Sequence, residues 1–527
     1  MEEEFMVENI DEKDTLIKEY LKEIIEIRQK PQEEEETLSA TIIVGRLAFF
    51  YEKMRNTIEY KDEHLIFKSS LERMLKRKFK YYIKGQELGK EIVTELIAGG
   101  YVDNSSVPLR VIEKIDFIIA RYHDLQGILG KRIKKDIISF IACSIEENLR
   151  KEVLEDEALA FFAFQDLKGK IKTDIQVDQE KFEQELYVSI HRNLLKSDYQ
   201  TIRYRFLRRV IPNLEDGYTD IHSISALLEQ RNIKFDNIIK SPHKVQMLKF
   251  ARKASPAYSI IGKIVQDTAS ENLLSLFSKE DELRHKVDVT YSKWREISYE
   301  KIQRAAIRSV IFIFLTKMIL AFIIELPYEL LVLDRINYLA LAFNLLFPPL
   351  YMFLSTFSIK VPGRENLIIL QSAIKKIAFG EADEHIARLR TTGSLKKTVF
   401  FLVYLMTFGL SFGLLSWGLV KMEFSIVAGL LFFIFFSTVS FFAYRISRVA
   451  KDLVMLKSKG SMLSALMDFF SVPFIKVGQF LSSSFSRVNV FLFFFDFIIE
   501  TPFKTLIKFI DEWVTYAKEK KDDILSE

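Results

Sequence analysis

Residues Ile307–Leu326 read IRSVIFIFLTKMILAFIIEL, and this stretch decides the fold class. It is 20 residues long and mostly apolar, with Lys317 near its middle. A helix rises about 1.5 Å per residue, so ~20 apolar residues match the ~30 Å hydrocarbon layer of a bilayer. Ile336–Ile359, Thr398–Val420 and Phe424–Tyr444 have similar length and character. The reading is four membrane-crossing helices in two hairpins.

Basic residues orient them. Eighteen Lys and Arg flank the spans on one side, at 293–308, 360–397 and 445–459; the other side has two, Arg335 and Lys421. Loops rich in Lys and Arg stay cytoplasmic. Both termini are therefore expected in the cytoplasm, in an integral, multi-pass protein of a bacterial plasma (inner) membrane. Trp294, Trp417 and Trp513 fall where an aromatic belt would hold them. The first 36 residues carry 14 acids against 5 bases. A secretory signal opens basic and then apolar, so none is expected here.

Composition agrees with a divided chain. Charged residues make up 28% of it, too many for a protein wholly in lipid, while a mean hydropathy of +0.08 is high for one wholly in water. The single cysteine, Cys143, excludes a disulfide framework and a cysteine zinc site. A net charge of +4, from 75 bases and 71 acids, argues against a nucleic-acid binder.

The expected architecture is all-α. An acidic arm with one amphipathic helix (1–36) precedes a large cytoplasmic helical region (37–300). A first transmembrane hairpin (301–359), a basic amphipathic loop (360–397) and a second hairpin (398–445) follow. Amphipathic helices at 446–527, interfacial or half-embedded, end the chain. Within the helical region, apolar stripes at i, i+3, i+4, i+7 cover Ile58–Lys84, Leu109–His123, Lys131–Leu149, Gln179–Leu195 and Thr201–Val210. Pro256 reads as a helix stop. In the tail, one stripe runs through 461–482 and another through Phe503–Val514, with the short apolar stretch Val488–Ile499 between them.

Lys317 is the most informative residue. A charge at mid-bilayer costs about 2.5–3.5 kcal/mol on insertion scales. Pro348 and Pro349 cannot donate backbone hydrogen bonds, so the carbonyls of Asn344 and Leu345 are freed nearby. Lys317, Asn344, Pro348 and Pro349 thus define a candidate polar site within the membrane. It serves either a substrate, ion or proton, or as a staple holding a kinked hairpin together. Glu325 and Glu329, around Pro327, are expected to be solvated at the outer edge.

Gly409-Leu410-Ser411-Phe412-Gly413 matches the spacing of a hydrolase nucleophile elbow, but it lies in a span and no span contains a histidine. As G-x-x-x-G it is a helix-packing face, extended by Ser416 and Gly418, with Gly429 and Ser437 as candidate surfaces on the next span. Arg73, Lys76 and Arg77, and likewise Arg364, Lys375 and Lys376, are candidate contacts for anionic lipid headgroups. The helix containing the latter three reads as lying on the inner leaflet. A second basic cluster spans Arg203–Arg209. The seven histidines are scattered without ligand spacing, and no phosphate-loop, dinucleotide or kinase motif occurs.

The function expected from these features is a membrane-anchored scaffold or assembly factor acting through its helical region, with no enzymatic activity and no cofactor. Its expected partners are membrane lipids and a protein partner or a second copy; nucleic acid is not expected. The alternative is a small-solute or ion transporter or channel using Lys317 and the Pro348-Pro349 kink.

Overall fold

Side-chain caps start several helices. Asp198 accepts from Thr201 N at 2.7 Å and Asp220 from Ser223 N at 3.0 Å, each filling a backbone donor that the first helical turn leaves open. In the computed structural model, which describes residues 13–29, 36–38, 63–173, 179–215, 219–359, 361–380, 387–389, 394–452, 454–455, 462–487, 509, 513 and 516, the chain is all-α. Most of the expected tail elements at 488–514 lie outside the described residues.

The first part comprises α1 (Lys13–Gln29), α2 (Glu63–Lys78), α3 (Leu88–Ala98), α4 (Leu109–Ile128), α5 (Ile137–Leu149), α6 (Lys151–Lys168), α7 (Gln179–Asn193), α8 (Tyr199–Val210), α9 (Ile221–Ile239), α10 (Lys244–Gln266) and α11 (Ser270–Ser278). Together they form a helical body around one contiguous apolar core. In α5, Ile137, Phe140, Ile141, Ala142, Cys143 and Ile145 are all buried. A helix apolar on nearly every face belongs at the centre. Accordingly α2, α4, α6 and α8 pack around it. The stripe read as Lys131–Leu149 is broken by a turn before α5. Two three-residue strands, β1 (Ile171–Thr173) and β2 (Ala387–Leu389), pair in parallel.

Pro256 does not stop a helix. It lies buried inside α10, and the neighbouring Ser255 hydroxyl donates to the Ala251 carbonyl at 2.7 Å. Burial of residues 254–258 on both sides of the proline offsets its one missing donor.

One helix joins body to bundle. α12 runs unbroken from Glu280 to Leu320, continues through a single wide (π) turn at Ala321–Glu325, and passes into α13 (Leu326–Leu331). At 1.5 Å per residue α12 is about 60 Å long. Leu283, Val287 and Tyr291 at its start belong to the body core, whereas Ile313 belongs to a second core in the apolar bundle. The division expected at residue 300 therefore falls inside a continuous helix.

α15 (Arg364–Ala378) corrects another expectation. Its apolar face, Leu370, Ile374 and Ile377, is buried in the body core against α10 and α12 instead of facing lipid. Lys375 pairs with Glu280 at 2.7 Å, and Asn366 donates to the Tyr291 hydroxyl at 3.2 Å. Amphipathicity records that one face is buried, not whether lipid or protein buries it.

The bundle contains four helices long and apolar enough to cross a membrane: the second half of α12 with α13, then α14 (Tyr338–Phe357), α16 (Ser394–Lys421) and α17 (Ile426–Lys451). α12, α14 and α17 pack on one another through Met352, Phe435, Val439 and Ala443, and a ladder of rings joins Phe343, Phe347, Phe432 and Phe436. α18 (Met462–Arg487) adds a helix whose apolar part, Phe469–Ser482, is too short to span. It packs at the level of the spans' middles, where Phe474 meets Phe412 and Phe436.

The expected glycine face is not where helices approach. A Cβ placed at Gly409, Gly413, Gly418 or Gly429 would meet nothing within 4 Å. Instead α18 lies against both α16 and α17. The close approach is at Gly478, where a Cβ would collide with the Ser437 carbonyl. Ser411 donates to the Phe470 carbonyl at 3.2 Å, so its hydroxyl serves packing. Gly478→Leu should lower stability by about 1–3 kcal/mol through overpacking, whereas Gly413→Leu, which points into open space, should leave it nearly unchanged. Thermal unfolding of the full-length protein in detergent measures both.

Candidate functional site

Residues 313, 317, 321, 325 and 329 recur every four positions along the first span. Ile313, Lys317, Ala321, Glu325 and Glu329 are all buried, so this stripe faces the bundle interior. Lys317 and Glu325 are each 0% exposed and Glu329 is 2% exposed. On α14 a matching stripe of Ala340, Asn344, Pro348, Met352 and Thr356 is buried against it. Asn337 fixes the start of α14, its side-chain oxygen accepting from Ala340 N at 3.1 Å. Two turns on, Asn344 lies on the same face.

The two stripes meet in a polar cluster. Lys317 Nζ lies 3.9 Å from Glu325 Oε2. Asn344 Nδ2 donates to Glu325 Oε1 at 2.7 Å and to the Ala428 carbonyl of α17 at 3.3 Å. The ammonium also sits 4.8 Å from the centre of the Phe435 ring, a cation–π contact. Three buried polar atoms here have no hydrogen-bond partner: Lys317 Nζ, Glu325 Oε2 and Asn344 Oδ1. Groups in water-free surroundings are ordinarily all satisfied, and the exceptions mark function or stored cost. The π turn lies directly between Lys317 and Glu325, a feature frequent at functional sites.

Lys317 and Asn344 are brought together, as expected, but through Glu325. The lysine's charged partner is that carboxylate and not a carbonyl freed by proline. Pro348 and Pro349 are buried on α14 just below Asn344. The expectation that Glu325 and Glu329 are solvated is overturned. Pro327 follows directly on the π turn and the helix continues through it into α13, so both carboxylates stay inside. The signal was present in the four-residue spacing from Lys317 to Glu329.

The basic clusters of the body serve its interior. Arg203 bridges Asp136 at 2.6 Å and Asp236 at 2.8 Å, Arg205 pairs with Glu157 at 2.8 Å, and Arg208 pairs with Glu147. Arg209 lies over the Phe161 ring. His191, fully buried beside Glu157, is held neutral by desolvation, its pKa pushed down to about 4. Glu146 is raised by burial to about 7. In the other cluster Arg73 donates to Ser70 Oγ at 2.8 Å and Arg77 pairs with Glu95, while Lys76 is exposed. Arg364 is exposed, and Lys376 is partly buried on α15. Among the described residues no three His, Cys, Asp or Glu gather as a metal-ligand set.

The chain matches no protein-family model, no curated protein and no solved structure.

A buried pair broken on one side leaves an uncompensated charge, at about 3–5 kcal/mol. Lys317→Met should therefore be strongly destabilising, and Lys317→Met combined with Glu325→Leu should recover much of the loss. Additive losses in denaturant unfolding of the full chain would show that the two side chains are not coupled.

Proposed function

We propose that this protein is a membrane-anchored scaffold that holds its helical body at the cytoplasmic face of a bacterial plasma membrane, where it assembles with a protein partner. The observation carrying this reading is the unbroken α12, which is core in both parts. A flexible tether would let the body wander. A helix packed at both ends sets its distance and rotation relative to the bilayer, as an assembly platform requires. The excess of eighteen basic residues over two supports the cytoplasmic orientation. Exposed bases such as Lys76 and Arg364 supply contacts for anionic headgroups, at ~1 kcal/mol each near the surface. The reading requires no catalytic step and no cofactor.

The second reading, a route for a small solute or ion through the bundle, is favoured by the unpartnered atoms of Lys317, Glu325 and Asn344.

Protease added to intact cells should spare the body, and protease added to inverted membrane vesicles should remove it; the reverse pattern overturns the orientation. Cross-linking from the body in those vesicles, read by mass spectrometry, should recover one protein, or a second copy of this chain, in stoichiometric yield. Recovery of neither overturns the scaffold.

A further inference from the structure

We propose that Glu325 is a proton-binding switch: as a carboxylate it faces the Lys317 ammonium, and as a carboxylic acid it closes a two-bond ring with the Asn344 amide. This deepens the second reading by naming the ion and its acceptor, and rests on that reading for its site alone.

The hydrogen-bond inventory carries the inference. Asn344 Nδ2 already donates to Glu325 Oε1 at 2.7 Å. The orientation of this amide is fixed independently, because the same nitrogen donates to the Ala428 carbonyl. Each side chain then keeps one buried atom without a partner, Glu325 Oε2 and Asn344 Oδ1. Both are acceptors, so they cannot satisfy each other as they stand. A single proton on Oε2 turns one of them into a donor and completes the acid–amide pair. Against this stands Lys317 Nζ, 3.9 Å from the same Oε2 and itself without a hydrogen-bond partner. Its charge favours the carboxylate. One oxygen thus has two mutually exclusive ways to be satisfied, differing by one proton.

The step balances simply. The Glu325 carboxylate takes a proton from hydronium and leaves water; the reverse returns it, and Lys317 stays an ammonium in both states. Few other groups compete. Glu329 is one turn away on the same face and marks the side nearer the 332–337 loop, where Asp334, Arg335, Lys421 and Glu423 are exposed. α14 offers only Tyr338, which is exposed, and Tyr351, which packs on Phe436. The part of α17 facing the cluster contributes the Ala428 carbonyl and the Phe435 ring, neither of them ionisable. Glu329, 2% exposed and accepting from Asn337 N–H at 3.4 Å, is the ionisable group nearest Glu325 on that side.

Infrared difference spectra of the full-length protein in lipid, wild type minus Glu325→Gln, test this. A protonated-carboxyl band should grow as pH is lowered across the range in which the protein stays folded and should shift in heavy water. Asn344→Leu, which removes both partners of the acid form, should move the band to the position of a carboxylic acid without hydrogen bonds. Lys317→Gln should raise the midpoint by about 1–3 pH units, the usual effect of removing an adjacent opposite charge. Absence of an exchangeable Glu325 band across this range overturns the switch, as does a band that Asn344→Leu leaves unmoved. Proton flux in proteoliposomes is a separate measurement. An exchanging Glu325 without flux removes the transport reading and leaves the switch standing.

Discussion

A single helix has to satisfy two solvents. The first half of α12 buries Leu283, Val287 and Tyr291 in a protein core, while its second half buries Ile313 and Lys317 among apolar helices. Only a helix can make that passage, because every backbone group must be paired within the segment once water is gone. The body then docks on the part outside the bundle: α15 packs against α12 and is tied to it through Tyr291, Asn366 and the Lys375–Glu280 pair. Tyr291 in turn donates to the Pro362 carbonyl at 3.0 Å, which anchors the chain leaving α14. Bundle and body are thereby one mechanical unit.

The same helix brings charge into the bundle. A lysine and a glutamate at this depth are tolerated because they lie within reach of each other and of an amide, with an aromatic ring beneath the ammonium. The wide turn at Ala321–Glu325 lies between the lysine and the carboxylate at its own C-terminal end. Four helical elements therefore share a polar centre inside an otherwise greasy assembly. Such a centre contributes little net stability and much specificity: a slipped register would strand at least one charge in hydrocarbon.

Much of this was legible in the residues alone. The four spans are visible because length and apolarity are one-dimensional properties, and their limits move by at most six residues, except that the first span has no boundary at all on its body side. The all-α class follows from periodicity. What was hidden depends on who neighbours whom. Leu370, Ile374 and Ile377 announce a buried face, yet the sequence does not say that α10 and α12 cover it. Gly409 and Gly413 have the spacing of a packing motif, but α18 takes the place beside α16 and the close approach moves to Gly478. Glu325 seemed solvated because Pro327 reads as an end, when it is the first turn of the next helical segment. The bases at 203–209 and 73–77 read only as charged clusters, because their acidic partners lie far away in sequence and only folding brings them close.

The continuity of α12 is directly measurable. Spin labels on cysteines replacing His285 and Arg308, both exposed, can be placed with Cys143 retained, since that thiol is buried and its pKa is pushed up to about 12. About 23 residues of helix separate them, so electron–electron resonance in lipid should give one narrow distance distribution near 35 Å. A broad or markedly shorter distribution would mean that the helix breaks between body and bundle, and that the body is tethered instead of held.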